Sequence, residues 1–374
     1  MLAASWRASI RRVRTIVFYI ASAFNAALRN SIAVTGRCTK KGQYMFNRHS
    51  GMIATLAFSL IAIQPAFAAS QDKYDLPEPF LSMEKNYLKE APDLQKVMDV
   101  MIATEERQVK DPTQDILHNR LCAAFVYKMA NDQKMPAADK RLALAGDILH
   151  NIAKEEKESV LTNPDQLSKA RDMVARLRKA GFLKNSPNFW NDESVLTNPK
   201  IGNNHALIHN ITGAVMAGDL LRQVGGYSDK EIETIEAAVV EHSTGYWYFR
   251  ASIDKAAGKK GAWETVYPEP ENDIAKFTHD ADLISQFVPE SVVPDGSKWR
   301  GLAKKRWGAK TPQEEGHIVY YVFQRLFDEA KTPSGKEMAR ERWNEIAPAL
   351  IKLMGLKEGD DPIKVLGVPS VLAS

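Results

Sequence analysis

The sequence predicts an all-α protein with a single large globular domain. Apolar residues recur three or four positions apart, as one face of a helix requires, and the clearest case is 142–156, LALAGDILHNIAKEE. No segment alternates apolar and polar residues for long enough to predict a strand. The 374 residues are sufficient to bury one large core.

The predicted helices follow one another along the chain, and most are bounded by a start or stop signal. In order, they cover residues 83–108, 114–131, 136–157, 166–180, 205–224, 228–241, 274–287, 315–331 and 334–354. Pro112 ends the first, since proline disfavours helical backbone in the residue before it, and Pro136 suits the first turn of the third. Gly181 ends the fourth, and Ser228 with Glu231 forms a capping box at the start of the sixth. A Pro-Gly linker is predicted to precede the last two helices.

Charge is unevenly distributed along the chain, and this argues against a nucleic-acid polymer as a partner. The formal net charge is +4. Residues 1–68 contain no acidic residue and nine basic ones, Arg7, Arg11, Arg12, Arg14, Arg29, Arg37, Lys40, Lys41 and Arg48. In the remainder, 41 basic residues face 46 acidic ones, a net charge of −5. A mildly acidic body lacks the basic surface that nucleic-acid binding requires.

Residues 45–68 are predicted to be a cleaved signal peptide. Arg48 lies in a short polar start, an apolar run follows at 52–63, and Ala66-Phe67-Ala68 places small residues where a signal peptidase reads them. The apolar run is too short to span a membrane. We therefore expect a periplasmic or secreted bacterial protein, which meets the membrane only through this signal peptide or an uncleaved N-terminus.

Residues 1–44 fit none of the predicted domain. They are a non-native extension, with the true start at Met45 or Met52, or an extra leader or anchor, since 15–28 is apolar after an arginine cluster. The globular domain is expected to cover residues 70–374.

Cys122 is the one cysteine within that domain, because the other, Cys38, precedes it. A single thiol cannot form an internal disulfide, so the domain must be stable through its core. Cys122 lies in the apolar run LCAAFVYKMA and is predicted to be a small buried apolar residue.

Histidines and an aspartate on separate predicted helices form a candidate metal site. The residues are His118, His150, His209, His242 and Asp282. Imidazole and carboxylate groups bind Mn, Fe, Zn or Ni, and helical bundles build metal centres from one ligand on each of several helices. No local zinc motif supports the site, so histidines that pack in the core without meeting are the alternative.

Five segments resemble the motifs of the HD superfamily of metal-dependent phosphohydrolases. They are DILHNR at 115–120, LAGDILHNIAK at 144–154, HNITGA at 209–214, VEH at 240–242 and ADL at 281–283. With a tail similar to the C-terminal helices of single-domain members, the resemblance covers residues 112–355.

The resemblance implies an HD-type helical bundle that hydrolyses a phosphate ester of a small substrate, such as a nucleotide, through a metal-activated water. It implies one or two divalent ions, of Mn, Fe, Zn, Ni or Mg, held by His118, His150, Asn151, His209, His242 and Asp282. His150, Asn151 and Lys154 carry over as catalytic residues, and Lys154 as a phosphate contact, although its charged surroundings also suit a solvated helix end.

Three further residues are candidates for binding the substrate. His205 shares a helix face with His209, and either could be the ligand, although Gly213-Ala214 favours His209. Tyr246 and Trp247 follow His242 in a segment, 246–272, predicted to be a loop or lid with a short helix, and they could form a wall for a flat group or simply pack in the core.

One position departs from the family pattern. Asn151 stands where the family has an aspartate, and a neutral amide is a poorer metal ligand than a carboxylate. Asp147, about one turn earlier, could partly substitute if it faced the site. The alternative function is therefore a degenerate relative that binds a ligand or partner without catalysis. At the last motif Asp280 and Asp282 compete, and the leucine that follows favours Asp282.

Overall fold

The prediction of an all-α protein is confirmed in the part of the chain that the computed structural model describes. This part comprises Tyr74, residues 76–185, 204–243 and 268–372, and the isolated residues Lys255, Gly258, Lys259 and Gly261. Its α-helices are α1 Phe80–Glu90, α2 Leu94–Gln108, α3 Thr113–Asp132, α4 Ala137–Leu149, α5 Pro164–Ala180, α6 Asn204–Val224, α7 Asp229–Glu241, α8 Asp273–Ser285, α9 Pro289–Val292, α10 Lys298–Trp307, α11 Pro312–Leu326, α12 Pro333–Leu353 and α13 Pro362–Leu366. Short 3₁₀ helices cover Phe327–Glu329 and Ser370–Leu372, and these described residues contain no strand.

Helix α4 lies at the centre of the fold. It packs against α3, α7 and α8, and these three also contact one another in the pairs α3–α8 and α7–α8, while α6 packs on the other side of α7. Every residue from Leu142 to Leu149 is buried, which is the property of a helix surrounded by other helices rather than lying on a surface. The end of α4 therefore lies deep inside the domain, and that is where His150 is found.

Several predicted helix boundaries are confirmed. The Ser228 side chain and Glu231 form the predicted capping box before α7, and Gly181 ends α5 with a φ of 93°, a left-handed conformation that favours glycine. Among the described residues, no helix is both long and apolar enough to cross a membrane.

The prediction of one helix over 83–108 is wrong, because α1 and α2 are separated at Ala91. The backbone of Ala91 is non-helical, with φ −134° and ψ 82°. Pro92 explains the break, since proline disfavours helical backbone in the preceding residue and cannot donate a backbone hydrogen bond.

Two other boundaries differ from the prediction. The helix predicted over 136–157 ends at Leu149, and residues 150–155 form successive turns, with Ile152 N donating to Leu149 O (3.1 Å) and Lys154 N to Asn151 O (2.9 Å). The predicted Pro-Gly linker contains α9 and α10, because Pro289 occupies a first turn and Gly308, with φ 71°, ends α10.

Candidate metal centre

Four side chains converge at the end of α4. Their possible ligand atoms all lie within 4.8 Å of one another, and the residues are His118, Cys122, His150 and Asp282; we call them the four-residue group. His118 Nε2 lies 3.2 Å from His150 Nε2 and 3.3 Å from Asp282 Oδ1. His150 Nε2 lies 4.0 Å from the same oxygen. The separations are those of ligand atoms arranged around a single ion.

The packing of α3, α4 and α8 brings this group together. His118 and Cys122 are four residues apart on α3 and therefore share one face of that helix, with the Cys122 sulfur 3.8 Å from both His118 ring nitrogens. His150 directly follows α4, and Asp282 lies on α8. Cys122 was predicted to be only a buried apolar residue; it is buried, but it also faces the group.

The remaining predicted histidines extend from the group as a row of imidazole rings. The His242 ring, at the end of α7, lies 5.0 Å from that of His150 at 75°. The His209 ring on α6 lies 5.4 Å from that of His242, and His205 follows at 5.8 Å from His209. His205 is exposed, whereas His209 reaches inward. The geometry thus favours His209 over His205 as a ligand.

Backbone carbonyl groups orient three of these rings. The Nδ1 atom of His150 donates to Asp147 O at 2.6 Å, that of His242 to Val239 O at 2.7 Å, and that of His209 to His205 O at 3.2 Å. Since a neutral imidazole carries one proton, these bonds leave each Nε2 unprotonated, with a lone pair that can accept a hydrogen bond or bind a metal. Metal-binding histidines are held in the same way.

Burial keeps these imidazoles neutral. It lowers the pKa of His150 well below its ordinary value, and the neighbouring His242 and His118 lower it further. Burial likewise lowers the pKa of His242 and brings that of His209 to about 3. For Asp282, burial would raise the pKa, but the hydrogen bond from the His118 ring and the neighbouring imidazoles, which favour the carboxylate form, hold it well below the usual value. At neutral pH the site therefore combines neutral imidazoles with a carboxylate, a donor set that suits a divalent cation.

An unpartnered ring nitrogen supports this reading of the donor set. His209 Nε2 is buried and has no hydrogen-bond partner among the described residues. A buried polar atom without a partner is costly, and a bound ion or an ordered water would satisfy it. The residues present therefore fit a metal ion chemically.

Asn151 occupies the lone pair that a metal would use. It is buried, and its Nδ2 donates to His150 Nε2 at 2.9 Å. Rotation of the amide would present its oxygen instead, but that oxygen carries no charge. Asn151 is thus close enough to contact an ion at His150, but its uncharged oxygen would bind that ion more weakly than a carboxylate would.

Asp147 does not belong to the four-residue group. Its side chain is fully buried, and neither carboxylate oxygen has a hydrogen-bond partner among the described residues. Burial, together with the Asp282 charge, raises the pKa of Asp147 well above its ordinary value. Its backbone carbonyl contacts His150, but its side chain is not in the group, so Asp147 does not take the place of the missing aspartate.

The structure distinguishes Asp282 from Asp280. The Asp280 carboxylate accepts hydrogen bonds from Lys331 N (2.8 Å), Thr332 N (2.7 Å) and Thr332 Oγ1 (2.7 Å), and it also contacts His279 Nδ1. These bonds tie α8 to the start of α12. Asp280 therefore positions α8, while Asp282, two residues beyond, faces the histidines.

Two lysines lie beside the group. Lys154, in the turn after α4, pairs with Asp115 on α3 through Nζ and Oδ1 at 2.6 Å. Lys298 begins α10 and donates to Gln286 Oε1 at 2.8 Å. No sequence motif pointed to Lys298, because it follows a turn and belongs to none of the histidine segments.

Other predicted features lie outside the described residues. These are Tyr246 and Trp247, the signal peptide at 45–68 and the preceding residues 1–44. In comparisons with protein-family models, with curated proteins and with solved structures, none matches this chain.

Proposed function

We propose that the protein is a metal-dependent phosphohydrolase of the HD type that acts on a phosphate ester of a small molecule, such as a nucleotide. The observation that carries the proposal is the convergence of His118, His150 and Asp282, drawn from three helical segments, within 4.8 Å. The motif resemblance provides the reaction class, and the geometry supports it by bringing the ligand types of three of its motifs together.

His118, His150 and Asp282 would hold the first ion. His209 and His242 would contribute to a second position with Asn151, whose side chain is neutral where the family has a carboxylate. When bound, a divalent ion lowers the pKa of a coordinated water and offsets negative charge on a phosphoryl group. Cys122 beside the group favours Zn or Fe over Mg, because sulfur is a soft ligand.

The chain's own side chains would orient the substrate. The bonds from Nδ1 to carbonyl groups fix the rings of His150 and His242, so no reorganisation is needed when a charged group enters. The ammonium group of Lys154, held by Asp115 at 2.6 Å, would attract phosphate oxygens as a point charge. Burial around the histidines excludes bulk water and strengthens these electrostatic interactions.

A second function is favoured by Asn151. Its Nδ2 bond to His150 Nε2 satisfies the ring in the absence of an ion, and its neutral side chain weakens any second ion. A degenerate HD-like protein that binds a phosphorylated ligand or a partner without turnover would have these features.

Hydrolysis assays on a phosphate-ester panel distinguish the two functions. The purified protein is loaded in turn with Mn, Fe, Zn, Ni and Mg and is compared with Asn151→Asp and His150→Ala. We expect metal-dependent hydrolysis by the wild type and its loss in His150→Ala. An inactive wild type beside an active Asn151→Asp variant would establish the binding function instead. Activity that survives in His150→Ala would show that the proposed site is not where hydrolysis takes place.

Export is part of the proposal. The full chain, expressed in a bacterium, should be recovered from the periplasm or medium with Ala69 as its first residue, since the signal peptide is predicted to end at Ala68. Recovery in the cytoplasm with an intact N-terminus would contradict this.

A further inference from the structure

Lys298 is connected to the four-residue group through one intermediate side chain. Its Nζ donates to Gln286 Oε1 at 2.8 Å. The Gln286 amide nitrogen in turn lies 3.3 Å from Asp282 Oδ1 and 3.1 Å from Asp282 O. The ammonium group of a helix that begins in the predicted linker is therefore held at the edge of the candidate metal centre.

The charge of Lys298 is not paired locally. Among the described residues, no carboxylate lies within ion-pair distance of its Nζ, and its hydrogen bond goes to a neutral amide. Lys154 differs, because Asp115 lies 2.6 Å from its ammonium group. An ammonium group has three donors, and Lys298 uses one of them on Gln286. No other described residue accepts a hydrogen bond from Lys298, so its two remaining donors are available to an anion.

Lys154 and Lys298 are each held by a residue that lies on the same helix as a member of the four-residue group, or directly after it. Lys298 is exposed as a residue, yet burial of its ammonium group lowers the pKa; the Asp282 charge opposes this effect, and the Lys154 charge adds to it. Asp115 precedes His118 by three residues on α3, and Gln286 follows Asp282 by four residues at the end of α8, so both ammonium groups are held close to the contact between His118 and Asp282. Bringing two cations together is unfavourable unless an anion joins them.

We propose that Lys298, with Lys154, forms a phosphate-binding pair beside the metal centre, and that the pair selects a terminal phosphate dianion over a phosphodiester. This inference rests on the proposed function, since it names the substrate group that the same centre would take. A doubly charged terminal phosphate gains from both ammonium groups, whereas a singly charged diester with two ester oxygens has fewer charged oxygens to offer.

Calorimetric titration with inorganic phosphate and with dimethyl phosphate, at pH 8, tests the pair. The full chain is used with its metal loaded, and the metal content is measured in the same samples. We expect the wild type to bind inorganic phosphate more tightly than dimethyl phosphate. Lys298→Gln should weaken inorganic phosphate binding about tenfold to hundredfold, as the loss of a charge-assisted hydrogen bond predicts, and should narrow the preference between the two probes.

Two further variants separate binding from a structural role. Lys305→Gln removes the same charge from an exposed position on the same helix and should leave phosphate affinity unchanged. Lys298→Arg retains the charge and should retain most of the affinity. If Lys298 only positioned Gln286 and Asp282, metal content would fall in Lys298→Gln together with phosphate affinity.

The outcomes are distinguishable from failure of the proposed function. Equal phosphate affinity in wild type and Lys298→Gln, with metal retained in both, would overturn the phosphate pair and leave the metal centre standing. Equal losses in Lys298→Gln and Lys305→Gln would also overturn it, because they would show a general effect of net charge. A wild type that binds neither metal nor phosphate would overturn both proposals.

Discussion

The Nε2 atoms of His118 and His150 lie 3.2 Å apart, although 32 residues separate them in the chain. His150 Nδ1 donates its hydrogen to Asp147 O, at 2.6 Å, so its Nε2 is unprotonated and carries a lone pair. Two imidazole nitrogens at this distance are joined either by a hydrogen bond from His118 to His150 or by a cation that both contact. Because Asp282 Oδ1 lies 3.3 Å from the same His118 nitrogen, a cation would gain a negative ligand as well. The following predictions test this arrangement.

Asn151→Asp should increase the number of bound metal ions. The new carboxylate would lie next to His150 and would supply the charge that the His209 and His242 rings lack. We expect the metal content, measured by inductively coupled plasma mass spectrometry, to rise from about one to about two ions per chain. Asn344→Asp, exposed on α12, adds the same charge as a control. Unchanged stoichiometry in Asn151→Asp would refute a second position.

Cys122→Ser should change which metal the protein prefers. Burial raises the pKa of the Cys122 thiol well above its ordinary value, so the sulfur stays protonated until a metal displaces the proton. We expect the Zn affinity to fall about tenfold relative to the Mn affinity, because sulfur is a soft ligand. Competition titrations with both metals provide an internal control, since damaged packing would weaken the two equally. An unchanged ratio would mean that Cys122 does not bind the ion.

Gly335→Ala should destabilise the fold where α8 meets α12. A Cβ atom there would lie 2.2 Å from Asp280 Oδ2 and 2.8 Å from Thr332 Oγ1, and the Asp280 carboxylate is held by three hydrogen bonds. We expect a loss of roughly 2–4 kcal/mol in the free energy of unfolding, measured in urea. Gly301→Ala is the matched control, because its Cβ would meet no atom within 4 Å; it should be neutral or stabilising by up to about 1 kcal/mol. Equal effects of the two substitutions would contradict this contact.

Glu105→Gln should change how stability depends on pH. Glu105 is fully buried, neither carboxylate oxygen has a partner among the described residues, and burial, helped by the Asp115 charge, raises the pKa of Glu105 to about 8. The folded protein therefore keeps a proton that the unfolded chain releases above its ordinary pKa, and stability falls as the pH rises from about 4.5 to about 8.

Glu105→Gln does not lose stability in this way, because a glutamine side chain does not titrate. Between pH 5 and pH 8, the stability of Glu105→Gln should improve relative to the wild type by roughly 2–4 kcal/mol. Urea unfolding at both pH values measures the change, and the histidines titrate alike in both proteins and cancel. Glu337→Gln, exposed on α12, should show no such change. If the free energies of unfolding of the wild type and Glu105→Gln differed by the same amount at both pH values, Glu105 would be charged in the folded protein, which would contradict the prediction.

The positions of most helices were predictable from the sequence, because they depend on local patterns of residues. Leu142, Ala145 and Leu149 fall on one helical face, and Ser228 and Gly181 mark ends through backbone chemistry that neighbouring residues alone determine. The side chains His118, His150 and Asp282 were also identifiable, because histidines recur on separate predicted helices and the surrounding segments resemble the HD motifs. Leu283 favoured Asp282 over Asp280, and the reason that Asp280 is not a ligand, its contact with Thr332 in a distant segment, was visible only in the structure.

The features that the sequence analysis missed or predicted wrongly depend on tertiary packing. Lys298 reaches the site because α10 folds back near Gln286, and nothing in its local sequence shows that. Cys122 is four residues after His118, a spacing that could have indicated a shared face, but an apolar run explains a buried cysteine equally well. The end of α4 at Leu149 follows from the turns and the side-chain bond that His150 makes at the centre of the fold.

Metal content is the most direct test of the central claim, that His118, His150 and Asp282 hold a divalent ion. The protein is purified after growth with Mn, Fe, Zn or Ni, and metal atoms are counted per chain for the wild type, for Asp282→Ala and for the control His317→Ala, whose ring bonds to Gly367 O at 2.9 Å. The account predicts about one ion per chain in the wild type and in His317→Ala, and well under one ion per chain in Asp282→Ala, because the site loses a carboxylate ligand. Strongly substoichiometric metal in the wild type under every condition, or full occupancy in Asp282→Ala, would contradict it.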